Sequence, residues 1–403
     1  MGGKPLKVRI AGPLVPYASG FRDELERLGY RPNPASDQLR LMAHVSRWLA
    51  AEGLGVGDLT PARVSEFLVH RRAEGYVLWL SPKGMEPMLD HLRSTGVLDT
   101  PGPAVAESET DLLVRDCEEF LVRERGLAVG TINCYLHVTR LFCAARAVDG
   151  MLNLDRLTAG EVTEFVLTEC RARSVGSAKY VVCGLRALMR YLYVTGRTLT
   201  ALDAAVPTVA GWRLTTVPIT FGAADVAAML ASCDRRTTFG RRDHAALVLL
   251  SRLGMRAGEV AGLQLADVDW RAGELVVRGK GRREERMPLP TDVGETLAGW
   301  LQRGRPACES TAVFTRVRAP HRQLTSSAVS SIVAAACLRA GLPVVYAHRL
   351  RHTAATGMLQ AGATLTDVGQ VLRHASALTT AIYAKVDWER LRELARPWPG
   401  GAS

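Results

Sequence analysis

A chain of 403 residues is longer than one ordinary core organises, so two or three domains are expected, each folding around its own apolar interior. A hydrophobic fraction of 47% excludes a disordered protein, and no stretch reaches the roughly 18 apolar residues of a membrane span. The formal net charge of +11 comes mostly from arginine, whose planar fork pairs with phosphate; this favours a polyanionic partner without proving one.

The eight cysteines stand singly, at positions 117, 134, 143, 170, 183, 233, 308 and 337. Their spacing suits neither zinc nor a disulfide ladder, so a reducing compartment fits best. The first 20 residues are basic but lack an apolar run of signal-peptide length. A soluble, cytoplasmic protein is the expectation.

In chain order, residues 1–13 read as a tail, and residues 14–100 and 108–206 as two helical domains. Apolar residues recur there at helical spacing, as in Phe165, Val166 and Cys170, or Leu185, Leu188, Met189 and Leu192. The two stretches resemble each other. Leu59-Thr60-Pro61-Ala62-Arg63-Val64-Ser65-Glu66-Phe67 parallels Leu157-Thr158-Ala159-Gly160-Glu161-Val162-Thr163-Glu164-Phe165, and Leu92-Arg93-Ser94-Thr95-Gly96 parallels Leu192-Tyr193-Val194-Thr195-Gly196 at almost the same offset. Duplication of one helical domain is the expectation; the alternative is a capping pattern shared by chance, since Ser or Thr followed by an acidic residue commonly starts a helix.

Prolines and glycine at 100–103 and again at 207–220 break the helical pattern and read as linkers. From 221 to 403 the pattern is mixed. Helices are predicted over 223–232 and 242–253, then two short strands over 274–278 and 285–289 with Gly279-Lys280-Gly281 between them as a hairpin turn, then further helices. The predicted fold is mainly α with a small antiparallel β element.

Four clusters in this last domain carry chemically useful side chains. Gly254-Met255-Arg256-Ala257-Gly258-Glu259-Val260 sets an arginine and a glutamate three apart, on one helix face; alone, such a pair is most often a surface ion pair. Lys280 at the hairpin tip stands among Arg278, Arg282 and Arg283, and a basic turn alone is usually just solvated. In Ala347-His348-Arg349-Leu350-Arg351-His352-Thr353, His348 and Arg351 share a helical face while Leu350 turns to a core. Leu372-Arg373-His374-Ala375-Ser376 is followed by Thr379-Thr380-Ala381-Ile382-Tyr383; a single histidine or tyrosine there would ordinarily be a packing residue.

Together the clusters resemble the tyrosine recombinases (the phage integrase family). That pattern is an arginine with a nearby glutamate, a hairpin lysine, a His-x-x-Arg, a second histidine and then the tyrosine. Arg256, Lys280, His348, Arg351, His374 and Tyr383 supply these types in this order. The resemblance runs from about residue 217 and includes the acidic turn Leu265-Ala266-Asp267-Val268-Asp269. Residues 111–199 are similar to the family's helical core-binding domain, which implies two SAM-like helical domains ahead of a catalytic domain. One departure is Arg373, where the family usually has glycine before the histidine.

The chemistry requires these types. A phenol with a reference pKa near 10 is about one part in a thousand ionised at neutral pH, so using it as a nucleophile costs about 4 kcal/mol without assistance. The resemblance implies that Tyr383 attacks a DNA phosphodiester, that Arg256 and Arg351 fork onto its nonbridging oxygens, and that Lys280 protonates the departing 5′ oxygen. His348 and His374 would complete the cradle and help move the tyrosine proton. Because a phosphotyrosine preserves the bond energy, neither a cofactor nor a metal is implied, and no Walker loop or paired-magnesium carboxylate cluster is found.

The implied partner is double-stranded DNA, bound by a homo-tetramer on paired sites or together with other recombinase subunits, in a cytoplasmic, nucleoid-associated setting with no membrane. Lys179, Arg186 and Arg190 on a predicted helix, with Arg282, are further candidates for DNA contact. After Tyr383, Trp388, Leu391, Leu394 and Ala395 form an apolar stripe on a predicted helix capped by Asp387, suited to a neighbouring protomer or to the domain itself. Two other functions share the chemistry or the scaffold: DNA relaxation in the manner of a type IB topoisomerase, and a catalytically silent DNA-binding regulator. Retention of all six catalytic types argues against the silent protein.

Overall fold

The computed structural model describes residues 8–98, 108–127, 129–147, 151–210, 220–279, 284–373, 380 and 383. It is mainly helical with one small antiparallel sheet, as the sequence pattern predicts. The chain divides into two compact units, one from residues 101–215 and the other from residues 1–100 together with 216–403.

Within the second of these units, residues 8–98 form α1 (Ala18–Arg27), α2 (Pro32–Ala51), α3 (Pro61–Ala73) and α4 (Pro82–Ser94). Their apolar faces close on a separate core that includes Phe21, Met42, Trp48, Phe67 and Met88. Ion pairs from Arg27 to Glu309 and from Arg322 to Asp90 join this segment to the C-terminal one.

The unit from 101–215 holds α5 (Glu109–Arg123), α6 (Val129–Arg146), α7 (Ala159–Cys170) and α8 (Val175–Val194) around Leu136, Phe142, Phe165 and Leu188. The paired motifs of the two helical segments occupy equivalent places. Thr60 caps α3 and Thr158 caps α7, each accepting from the backbone N–H three residues on. At α7 the Glu161 carboxylate also accepts from the Thr158 backbone N–H, completing a capping box that Arg63 cannot make at α3. Beyond α4 and α8, Gly96 and Gly196 take φ of +73° and +71°. The residues after them, Val97 and Arg197, donate back to Leu92 and Leu192, the same helix-ending turn in both.

The C-terminal segment contains α9 (Ala223–Ala231), α10 (Thr238–Arg252), α11 (Ala257–Gly262), the strands β1 (Val268–Asp269), β2 (Glu274–Arg278) and β3 (Glu284–Pro288), then α12 (Thr291–Arg303), α13 (Ser326–Arg339), α14 (Ala347–Gln360) and α15 (Leu365–Val371). The sheet order is β1-β2-β3, both pairings antiparallel, with Arg278 opposite Glu284 as the last pair before the residues that connect β2 to β3. Two strands were expected, and the third, β1, is an addition. Likewise α10 begins four residues before the predicted start, because Thr237 accepts from the Gly240 N–H and sets the helix end there. The core lies among α10, α12 and α13, where Trp300 donates its indole N–H to the Val313 carbonyl at 2.9 Å. The stripe after Tyr383 lies outside the described residues, as do most of both linkers.

Candidate active site

The site begins at the end of α10. Gly254 takes φ +60°, and a Cβ there would lie 2.5 Å from the Leu372 side chain, so a glycine is needed both for the turn and for the close approach. The turn delivers Arg256 as the residue preceding α11. Glu259 is not its partner on a shared helix face, as the spacing suggested, but its capping partner. The carboxylate accepts from the Arg256 backbone N–H at 2.9 Å and from Nη1 at 2.5 Å. Nor is this a surface pair, since the Glu259 side chain is 4% exposed while Arg256 remains 41% exposed. Glu259 holds the arginine from beneath and leaves its outer edge open.

Arg351 is buried, on the face of α14 next to Leu350, which packs into the main core as predicted. Its Nη1 donates to the Gly254 carbonyl at 2.5 Å and its Nη2 to the Leu372 carbonyl. One guanidinium thus ties together the turn that leads to Arg256 and the turn that leads to Arg373. Burial lowers the Arg351 pKa to about 10, helped by Arg256 and opposed by Glu259. At neutral pH it still carries its charge.

Arg373 keeps the backbone conformation that a glycine would favour, with φ +56°. Its side chain turns inward, and Nη2 donates to Glu259 Oε2 at 2.8 Å. Burial by itself would raise the Glu259 pKa, but Arg373 and the hydrogen bonds from Arg256 outweigh it and hold the carboxyl below its ordinary range. The anionic form is therefore the one built into the site.

Tyr383 is 2% exposed and packs on Ala355, Leu359, Val368 and Leu372. Its Oη lies 2.8 Å from His352 Nδ1, and the His352 ring stands edge-on to His348 with centroids 4.3 Å apart. Burial raises the phenol's pKa above its ordinary value, and the charges of Arg351 and Arg256 oppose that rise without cancelling it. Burial, then Arg351, Arg256 and Arg349, lowers the pKa of His348, so it is a neutral imidazole at pH 7. His352 was missed in the sequence, although its spacing of four from His348 was a usable signal that the two rings share a helix face.

The acidic turn supports the hairpin. Asp267 accepts from the Gln264 backbone N–H at 2.8 Å, and its other oxygen pairs with Arg278 at the end of β2, two residues before Lys280. Lys280, Arg282 and His374 lie outside the described residues. In the 101–215 unit, Arg186 donates to the Val206 carbonyl at 2.9 Å and Arg190 pairs with Asp203 at 3.1 Å, bracing α8, whereas Lys179 is exposed.

Comparison with known proteins agrees with this geometry. The phage integrase family profile matches residues 220–390. The integrase/recombinase y4rA of Sinorhizobium fredii is 38% identical over 402 residues, which is 97% of this chain and 96% of that one. Tyrosine recombinase XerD of Mycobacterium tuberculosis is 30% identical over 300 residues, 70% of this chain and 94% of its own length. Among solved structures, a lambda integrase dimer bound to a COC′ core site matches 72% of this chain and 97% of that chain, with TM-score 0.54 and 17% identity. XerH bound to palindromic difH gives the same TM-score of 0.54 at 21% identity, over 72% of this chain and 89% of that one.

Proposed function

The chain belongs to the phage integrase family and is a tyrosine-type site-specific recombinase, and on that premise we propose that Tyr383 is its nucleophile. In this reading Tyr383 Oη attacks a DNA phosphodiester, a 3′-phosphotyrosine forms, and the 5′ oxygen leaves with a proton from Lys280. Arg256 and Arg351 meet the charge that develops on the nonbridging oxygens, with His348 and His374 beside them. Rejoining runs the same steps backward with a new 5′ hydroxyl.

The observation that carries the reading is the Arg351 guanidinium. It binds the Gly254 and Leu372 carbonyls at once, and so draws the Arg256 turn and the approach to Tyr383 onto one preorganised cation.

The proposed domain plan follows the pattern in the chain: a tail at 1–13, helical domains at 14–100 and 108–206, a linker at 207–220 and a catalytic domain at 221–403. The matching turns at Gly96 and Gly196 support a duplicated origin for the two helical domains. The partner in this reading is double-stranded DNA, with Lys179, Arg186, Arg190 and Arg282 as outer contacts and a homo-tetramer on paired sites. Arg186 and Arg190 would first have to release their partners within the domain. A mobile element in a bacterial cytoplasm, at the nucleoid, is the setting proposed. Among the described residues no helix is long and apolar enough to cross a membrane.

The test is a suicide DNA substrate resolved on a denaturing gel. Wild type should give a protein-linked DNA band and Tyr383→Phe none, with DNA binding retained by both. A linked band from Tyr383→Phe removes Tyr383 as nucleophile.

A further inference from the structure

We infer that His352 is a catalytic residue, the group whose Nδ1 takes the proton from Tyr383 as the phenol oxygen attacks phosphorus. The inference rests on Tyr383 being the nucleophile and adds the destination of its proton.

The argument is geometric. A general base must lie within hydrogen-bond reach of the proton that it abstracts, and Nδ1 of His352 is 2.8 Å from Tyr383 Oη. The two rings meet at 62° with centroids 5.4 Å apart, so they approach edge-on, not stacked. His352 sits one helical turn after His348 on α14, on the same face, and next to Arg351. One helix thus presents a cation for the phosphate and a proton acceptor for the nucleophile, spaced by backbone geometry. Tyr383 itself is held by an apolar cluster that includes Ala355 and Leu359, further along α14.

The step balances without any other reagent. The Tyr383 O–H bond breaks and its proton passes to Nδ1, while the Oη–P bond forms, the bond from phosphorus to the 5′ oxygen breaks, and that oxygen leaves with the Lys280 proton. On rejoining, Nδ1–H returns the proton to Oη as the phosphotyrosine bond opens. The imidazole emerges as it began. Its neighbour His348 is then free to contact phosphate.

The experiment compares His352→Asn with wild type in single-turnover cleavage of a suicide duplex, each carrying either tyrosine or a fluorinated tyrosine at 383 acidic enough to be ionised at neutral pH. The asparagine can still accept a hydrogen bond from the phenol but cannot take its proton. With ordinary tyrosine, cleavage should slow by about 10²–10⁴-fold, the usual contribution of a general base. With the fluorinated residue the deficit should shrink to less than about tenfold, since no proton remains to be moved. Melting temperature and DNA mobility shift establish that the variant folds and binds; if the asparagine protein melts early, His352→Gln is carried through the same comparison. A deficit that is equally large with both phenols overturns the inference and makes His352 a positioning residue. So does a rate within about threefold of wild type, less than any general base contributes. Tyr383→Phe in the same assay separates the two readings, because a linked band from that variant ends the nucleophile assignment whatever His352 does.

Discussion

Arg373 Nη2 and Glu259 Oε2 lie 2.8 Å apart, with the two side chains only 6% and 4% exposed, and the arginine makes the contact from a backbone φ of +56°. A residue with a Cβ pays about 1–2 kcal/mol in that region of the map, so the contact must offset a strain that glycine would avoid. Removing the arginine leaves Glu259 half-satisfied, still held by Arg256. Arg373→Gly should therefore relieve strain yet lose roughly 1–3 kcal/mol of stability for the exposed need of a buried acceptor. Arg373→Ala should be worse by about 1 kcal/mol, because it loses the pair and keeps the strain. Thermal melts of the three proteins test the order wild type, glycine, alanine. A glycine variant as stable as wild type would mean that the pair contributes nothing net.

The same carboxylate has a pH signature. Glu259 is held below its ordinary value of 4.5 in the fold. A depressed carboxyl contributes stability that is fully present above its unfolded pKa and is lost as pH falls through the folded one. Glu259→Gln should be less stable than wild type at neutral pH. The gap should narrow as the pH drops below about 4.5, where the wild type loses what the variant never had. A gap that stays constant from neutral to acid pH would show that Glu259 is not the acid-sensitive group.

How much of this the sequence disclosed depends on range. The β2 strand was read with the bounds the structure gives it, because the glycines at 279 and 281 mark the turn that follows. The two-residue β1 was not, since Val268 and Asp269 are strand only by pairing with Leu275 and Glu274. Arg256, Arg351 and Tyr383 were legible as types in order, and the structure joins them through pieces that carry no sequence signature, the Gly254 and Leu372 carbonyls. His352 acquires its meaning from a phenol 31 residues away. Arg373 was noticed as a departure, but its inward turn toward Glu259 is a contact across 114 residues, which no local pattern encodes.

Arg256 and Arg351 should differ when replaced, although the chemistry asks the same of both. Arg256→Ala removes a half-open donor and should cost roughly 3–4 kcal/mol of transition-state stabilisation, the scale of one lost anion-hole donor, with a smaller loss of stability because Glu259 keeps Arg373 and the backbone N–H of residue 256. Arg351→Ala should lose the rate and also the fold's tie between two carbonyls, and so melt earlier. Arg351→Lys should recover little, because an ammonium cannot span two acceptors as the planar fork does. Single-turnover cleavage beside thermal melting measures both. If Arg256→Ala cleaves within about tenfold of wild type, worth only about 1.4 kcal/mol, the phosphate clamp is misassigned.

Lys280 follows Gly279 at the end of β2, whose Arg278 is anchored by the buried Asp267. As the proton donor to the 5′ oxygen, it should become dispensable when that oxygen is replaced by sulfur, which leaves as a thiolate without protonation. Lys280→Ala should be rescued on the sulfur substrate and Arg256→Ala should not. Equal rescue of both, or of neither, would take the lysine out of this role.

The first helical segment can be tested by removing it. Its core is self-contained, since the apolar cluster around Met42 and Trp48 draws only on residues 8–98, while the cluster beneath the active site draws only on residues from 221 onward. What joins them includes Arg27 to Glu309 and Arg322 to Asp90, ion pairs whose four side chains are 48–77% exposed. Solvent screens such pairs and long side chains lose entropy in making them, so they hold little stability. Among the described residues, the side chains of Arg256 and Arg351 bond to Glu259, Gly254 and Leu372, all within the C-terminal segment. A protein lacking residues 1–107 should therefore fold, melt near the full-length chain, and form the covalent complex on a short duplex at a rate within about threefold, a difference under 1 kcal/mol. Any loss should appear instead in affinity for longer DNA, where the arginines of the first helical segment would have more phosphate to meet. Melting and suicide-substrate cleavage of the shortened protein decide the matter. If it unfolds, or folds but no longer cleaves, the first segment completes the catalytic unit and is not an independent attachment to it.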